Sequence, residues 1–277
     1  LLSEARLDDA VSRVLRARFR LGEFDPPDWV PYSRISPDVI CSPSHRKLAL
    51  RTAQEAVVLL SNKDGFLPLD RTRLGTIAVV GPHAGIFTAG GYSGKSRAPV
   101  TPLEGIKNRA ATGIEILHAV GGEMARPGKA KGKDALPPAT AEARLHEAAE
   151  AARRADVAIV YVGTNLDIEA EGRDRKTLAL PGSQEDLVKA VVSANPKTVV
   201  VLMNAGPLAI PWVKDNVPAV LEAWWLGEEG GNAIADVIFG DVTPAGRLPY
   251  TVYASDGQVP PQDEYDITQG FTYMYLK

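Results

Sequence analysis

The chain has 277 residues, 45% of them hydrophobic and 23% charged, with a net charge of −3. That composition is ordinary for one large or two modest globular domains, and so small a charge gives no reason to expect nucleic acid or an anionic membrane as partner. No apolar run approaches bilayer-spanning length, and the single cysteine, Cys41, excludes an intrachain disulfide and a cysteine-based metal site.

Residues 3–22 carry Leu7, Ala10, Val11, Val14 and Leu15 at helical spacing. The start, Leu1-Leu2-Ser3-Glu4-Ala5-Arg6, lacks the charged region and apolar core of a signal peptide and reads as entry into a helix already in progress. That helix has little partner sequence nearby, so it is expected to dock elsewhere. Residues 24–44 hold Pro26, Pro27, Pro31, Pro37 and Pro43 with few periodic apolar positions, the pattern of an extended linker. From Ser44 onward helix and strand patterns alternate. Strands are expected over 57–61, 77–80, 114–118, 157–162, 198–203 and 219–223. Helices are expected over 44–55 with Ser44 as a cap, 102–109 with Pro102 in the first turn, 139–154, 183–193 with Ser183 as a cap, and 229–239. Residues 127–138, rich in Lys, Gly, Ala and Pro, read as a mobile surface loop. Alternation with unbroken β-branched runs predicts an α/β fold, a mostly parallel sheet covered by helices on both faces.

In such a sheet the loops leaving the strand C-termini converge on one edge. Here they are 81–94, 163–182, 204–207 and 224–231, so Tyr92, Glu169, Glu171, Arg175 and Trp224 or Trp225 are expected to meet although far apart in sequence. The most charged stretch is Ile168-Glu169-Ala170-Glu171-Gly172-Arg173-Asp174-Arg175. Carboxylates in such a loop can serve as general acid or base where burial or like charge raises a pKa; the alternative is a solvated loop whose charges pair with each other. Aromatic faces beside carboxylates and arginines suit sugar rings, although core packing is the expected role for at least one of the two tryptophans. His45, His83, His118 and His146 show no ligand spacing, and no metal site or cofactor is expected. His83, in Gly81-Pro82-His83-Ala84-Gly85, reads as a turn residue. There is no Gly-x-Ser-x-Gly, and Gly90-Gly91-Tyr92-Ser93-Gly94 lacks the Lys-Ser/Thr ending of a phosphate loop. A nucleotide- or sugar-phosphate-binding module therefore lacks its usual parts.

Five motifs in order resemble the second domain of glycoside hydrolase family 3, over roughly 45–277. They are Arg51-Thr52-Ala53-Gln54-Glu55-Ala56-Val57-Val58-Leu59-Leu60-Ser61-Asn62 with Leu67-Pro68-Leu69 behind it, and Ala78-Val79-Val80-Gly81-Pro82-His83-Ala84. Next come Gly91-Tyr92-Ser93-Gly94 leading to Pro99-Val100-Thr101-Pro102-Leu103-Glu104-Gly105-Ile106, and the Glu169–Arg175 loop closing on Leu180-Pro181-Gly182. The fifth runs from Gly230-Gly231-Asn232-Ala233 through Phe239-Gly240-Asp241 to Pro244-Ala245-Gly246-Arg247-Leu248-Pro249. Residues 1–22 resemble the last helix of that family's first domain, and 23–44 its interdomain linker. One departure is Trp225-Leu226-Gly227, where many relatives have proline before the glycine.

The resemblance implies an α/β sandwich domain of an exo-acting, retaining β-glycosidase that releases single sugars from β-linked glucosides or xylosides. The family's nucleophile is an aspartate on a (β/α)₈-type barrel, of which nothing here matches beyond its final helix, so that barrel is the expected partner. Many members take the acid/base carboxylate from the second domain. Glu171 matches that role best, three residues before Asp174-Arg175, and Glu169 is the runner-up or else binds a substrate hydroxyl; Arg175 and Tyr92 are the other expected substrate-binding residues. Retaining enzymes hold their two carboxyls about 5 Å apart, and the protonating group needs a pKa near neutrality. Many members continue into a fibronectin-like domain, and Gly270-Phe271-Thr272-Tyr273-Met274-Tyr275 reads as the approach to it. Plant-wall saccharides are met mostly outside the cytoplasm, so a secreted or periplasmic location is implied. A non-catalytic carbohydrate-binding or scaffolding domain is the competing reading: it would keep the fold and aromatics without needing Glu171.

Overall fold

In this computed structural model, residues 2–124 and 138–276 are described; the loop expected over 127–138 lies, but for its last residue, outside them. The chain divides into two compact units, Leu1–His45 and Arg46–Lys277. In the first, α1 (Glu4–Arg20) begins at Ser3, whose hydroxyl accepts the Arg6 N–H at 3.3 Å. Residues 24–44 are not extended as their composition suggested. Pro27–Trp29, Pro31–Arg34 and Pro37–Val39 form three short 3₁₀ turns. Proline fixes φ near the helical value and lacks the N–H that a first helical position leaves unbonded, so Pro27, Pro31 and Pro37 each open a turn instead of extending the chain.

The second unit carries α2 (Pro43–Ala56), α3 (Pro102–Arg109), α4 (Pro138–Arg153), α5 (Gln184–Ala194), α6 (Pro211–Asn216) and α7 (Gly230–Ile238), with α2 beginning just ahead of the division. Its strands are β1 (Val58–Asn62), β2 (Thr76–Val80), β3 (Glu115–Ala119), β4 (Val157–Gly163), β5 (Thr198–Met203) and β6 (Ala219–Glu222). Every expected strand and helix is present to within a residue or two; α6, signalled by Pro211 at its start, was not read from the sequence. Helix α2 starts at Pro43, one residue ahead of Ser44. Ser183 does precede α5, but its side chain makes no capping bond.

The six strands lie in the order β1-β6-β5-β4-β2-β3; β1 runs antiparallel to β6 and the other pairs are parallel. Strand residues alternate strictly between two cores. Ile77, Val79, Val157, Ile159, Tyr161, Val199, Val201 and Leu221 face Ile106 of α3 and Ile234 and Ile238 of α7. Ala78, Val80, Ala158, Val160, Val162, Val200, Leu202 and Val220 face Ala148 and Ala152 of α4, Leu187, Val188 and Val191 of α5 and Val213 of α6. Each large apolar side chain wholly removed from water stabilises by about 1.5–3 kcal/mol, which is why β4 and β5 read as unbroken apolar runs. On the first face Gly105 and Gly231 let α3 and α7 touch backbone to backbone: a Cβ on Gly105 would lie 1.9 Å from the Gly231 carbonyl oxygen. An ion pair of Arg109 with Asp236 braces the same two helices, and one of Arg46 with Glu229 ties α2 to the start of α7.

From β2 the chain moves outward to β3, then returns to the other side of β2 to make β4. The loops after β2 and β4 therefore diverge and leave a crevice at the carboxyl edge, where open α/β sheets bind ligands. Two glycines allow the close approach there. Gly81 (φ +113°) leaves no room for a Cβ beside the Tyr161 carbonyl, nor does Gly163 (φ +152°) beside that of Met203.

Candidate functional site

The loop from β4 to α5 is fastened at both ends. Gln184, buried at the start of α5, accepts the Gly163 N–H at 2.7 Å and donates to the Gly163 carbonyl at 2.9 Å. Further along, Ala209 N–H bonds the Leu178 carbonyl at 2.8 Å, and Asp256 accepts the Leu178 N–H at 2.6 Å. Ile168, 2% exposed, anchors the loop's near side. Beyond it, Ala170 and Arg173 exchange backbone hydrogen bonds at 3.2 and 2.9 Å across Glu171-Gly172, and Gly172 takes the left-handed conformation the turn needs (φ +70°). Glu171 thus stands at the tip of a tight turn. Arg173 holds the base of that turn, donating to the Leu166 and Asp167 carbonyls at 2.9 and 3.3 Å.

The two loop glutamates differ sharply. Glu169 is buried: its Oε1 accepts the N–H groups of Ala205 and Gly206 at 2.9 and 3.1 Å and the Thr164 hydroxyl, and its Oε2 meets Arg175 Nε at 2.7 Å. Arg175, itself 9% exposed, also donates to the Pro207 carbonyl. Glu171 is exposed and has no hydrogen-bond or ion-pair partner among the described residues. A carboxylate with both oxygens engaged and a cation against it is a structural clamp; one free at a loop tip can meet a ligand.

Tyr92, Glu169, Glu171, Arg173, Arg175 and Trp225 line one open hollow of about 510 Å³, floored by the turn at Ala205 and Gly206. The expected convergence of these loops is therefore observed. Tyr92 is almost fully exposed at the rim. Trp225 is half-buried, with its indole N–H on the Thr164 and Met203 carbonyls at 3.2 and 3.4 Å, leaving the ring beside the hollow. Trp224 is not part of the site. Its indole N–H bonds the Ala56 carbonyl at 3.0 Å and its ring stacks edge-on against Tyr250 at 5.8 Å, so it is the packing member of the pair.

His83, in the loop after β2, is wholly buried, its Nδ1 3.4 Å from the Thr88 hydroxyl. Burial pushes its pKa down to about 4, the backbone of Gly163 acting weakly the other way, so it is neutral at ordinary pH. That fits a turn residue. No His, Cys, Asp and Glu cluster able to hold a metal occurs among the described residues.

One group behind the hollow was not foreseen. Glu222, last residue of β6, is 4% exposed, and its pKa is pushed up to about 8, chiefly by burial, with nearby Glu169 adding to the shift and donors from Trp224, Asn204 and Ala223 opposing it. The readable signal was a lone carboxylate closing the apolar run Ala219-Val220-Leu221.

Residues 57–275 match the glycosyl hydrolase family 3 C-terminal domain. The chain is 38% identical to the periplasmic beta-glucosidase of Salmonella typhimurium, over 92% of this chain and 35% of that protein. It is also 38% identical to beta-D-xylosidase 1 of Arabidopsis thaliana, over 92% of this chain and 32% of that one. The solved structure of a β-glucosidase from Erythrobacter marinus superposes with a TM-score of 0.82 at 34% identity, covering 94% of this chain and 37% of its own. The chain spans about a third of the length of the curated relatives it matches. With the sheet, the crevice loops and 79% of its length within the matched range, the chain belongs to glycosyl hydrolase family 3 and carries that family's C-terminal domain.

Proposed function

We propose that this chain is the second domain of an exo-acting, retaining β-glycosidase that removes terminal β-linked glucose or xylose, with Glu171 as its general acid/base. One observation supports this most directly: of the two loop glutamates, Glu171 alone is free, at a turn tip on the rim of a hollow that also carries Tyr92 and Trp225. In the first step Glu171 gives its proton to the glycosidic oxygen while an aspartate attacks the anomeric carbon; in the second its carboxylate takes a proton from water. The aspartate belongs to a barrel domain covering the hollow. Residues 1–22 are then that barrel's terminal helix, 23–44 the linker and 45–277 the sandwich domain. Tyr92 offers a ring face to the sugar, and Arg175 with Glu169 supports the floor on which it rests. The curated relatives are named for both glucosides and xylosides, and the Salmonella relative for the periplasm, so action outside the cytoplasm is part of the reading.

The test is release of p-nitrophenol from the β-glucoside and the β-xyloside, by this chain alone and by the chain joined to its barrel. Activity only in the joined form is expected, and the ratio of the two rates names the sugar. Equal activity from the chain alone would place the nucleophile within these residues and overturn the proposal.

A further inference from the structure

Behind the hollow, a closed ring of polar contacts joins β6 to the loop that carries Glu171. The Glu222 carboxyl accepts the Trp224 N–H at 3.1 Å through Oε1 and the Asn204 side-chain amide at 3.1 Å through Oε2. The same Asn204 amide nitrogen donates to the Gly206 carbonyl at 2.9 Å. One wholly buried side chain thus ties the turn after β5 to the end of β6. That turn presents the Ala205 and Gly206 N–H groups to Glu169, whose other oxygen holds Arg175, and Arg175 returns to the Pro207 carbonyl. The fit is close: a Cβ on Gly206 would lie 3.1 Å from both Arg175 Nη2 and Glu169 Oε2.

We propose that Glu222 is a positioning residue for the loop bearing Glu171: through Asn204 it holds the Ala205 and Gly206 amides against Glu169, and so fixes the Glu169–Arg175 clamp from which the turn tip projects. Its importance for hydrolysis rests on the role given above to Glu171; the ring itself does not. The charged and titratable groups around Glu222 are Glu169 and Arg175 from the loop, Tyr250 and Tyr253 from the C-terminal segment, and Lys214 and Asp215 of α6; Tyr253, Lys214 and Asp215 share with it an apolar hollow of about 360 Å³. At neutral pH the Glu222 carboxyl is uncharged. Ionising it adds a negative charge behind Glu169, whereas the hydrogen bonds from Trp224, Asn204 and Ala223 favour the ionised form.

Amide hydrogen exchange at Ala205 and Gly206 tests this. Glu222→Leu should speed exchange at these two amides at least tenfold while the amides of β4 and β5 stay unchanged. Asn204→Ala should do the same, and the double variant should be no worse than the more severe single one, because both act through one link. Glu222→Gln keeps the size and one acceptor oxygen and should speed exchange at the two amides less than Glu222→Leu does; the Asn204→Ala arm remains if the leucine variant does not fold. Unchanged exchange, acceleration shared with β4 and β5, single effects that add, or a glutamine variant that exchanges as fast as the leucine one would each overturn the proposal. Failure of the acid/base assignment would appear in hydrolysis assays of Glu171 variants and leave these exchange rates as they are.

Discussion

Glu169→Gln is the substitution whose cost the geometry fixes best. The glutamate and Arg175 side chains are 11% and 9% exposed. Glutamine keeps the size and, through its carbonyl oxygen, the bonds from Ala205, Gly206 and Thr164. Its amide nitrogen, however, faces Arg175 Nε, donor against donor, and leaves a buried guanidinium without the anion bonded to it. Removing one partner of a buried pair costs about 3–5 kcal/mol. Arg175 keeps the Pro207 carbonyl, so the lower end, about 3 kcal/mol, is expected. Adding Arg175→Met removes the stranded cation and should recover about half of that loss, since replacing a buried pair with apolar groups is often close to neutral. Urea unfolding followed by tryptophan fluorescence measures both. A loss under about 1 kcal/mol for Glu169→Gln is what an exposed pair gives and would refute the clamp; so would a double variant less stable than the single.

Two buried groups set opposing pH dependences. His83 stays neutral in the fold down to about pH 4, whereas in the unfolded chain it takes a proton near 6.5, so its contribution rises with pH between these values. Glu222 holds its proton up to about pH 8 but releases it near 4.5 when unfolded, so its contribution falls across that window, by on the order of 5 kcal/mol in all. The two nearly cancel from 4.5 to 6.5, and Glu222 alone lowers stability from 6.5 to 8; in Glu222→Gln that decline should vanish in unfolding curves taken across pH, and a difference between the proteins that is constant with pH would contradict it. Gly105→Ala forces a methyl into the Gly231 backbone and should cost about 3 kcal/mol in thermal or urea unfolding. Gly94→Ala, which meets nothing within 4 Å, should change stability by no more than about 0.5 kcal/mol.

The sheet was legible because its strands are buried on both faces, which leaves runs such as Val199-Val200-Val201-Leu202 with no polar interruption. Loop convergence followed from that sheet, and with it the meeting of Tyr92, Glu169, Glu171, Arg175 and Trp225. Residue type could not separate Glu169 from Glu171. They lie two apart in one loop, and what distinguishes them is which one the Ala205 and Gly206 amides reach, 36 and 37 residues further along the chain. Glu222 was missed for the same reason: its partner Asn204, 18 residues earlier, comes beside it only when β5 and β6 lie side by side. The proline-rich stretch was misread because proline suits the first residue of a helical turn as well as an extended chain.

The acid/base assignment is tested most directly by leaving-group dependence in the chain joined to its barrel domain. Aryl β-glycosides with leaving groups from dinitrophenol to phenol would be hydrolysed by the unaltered protein and by Glu171→Gln. Proton donation matters most when the departing oxygen is basic, so in kcat/KM, which reports the first step, the variant should lose about 100-fold or more on the phenyl glycoside and little on the dinitrophenyl one. Equal losses on both, or no loss on the phenyl glycoside, would contradict Glu171 as the proton donor.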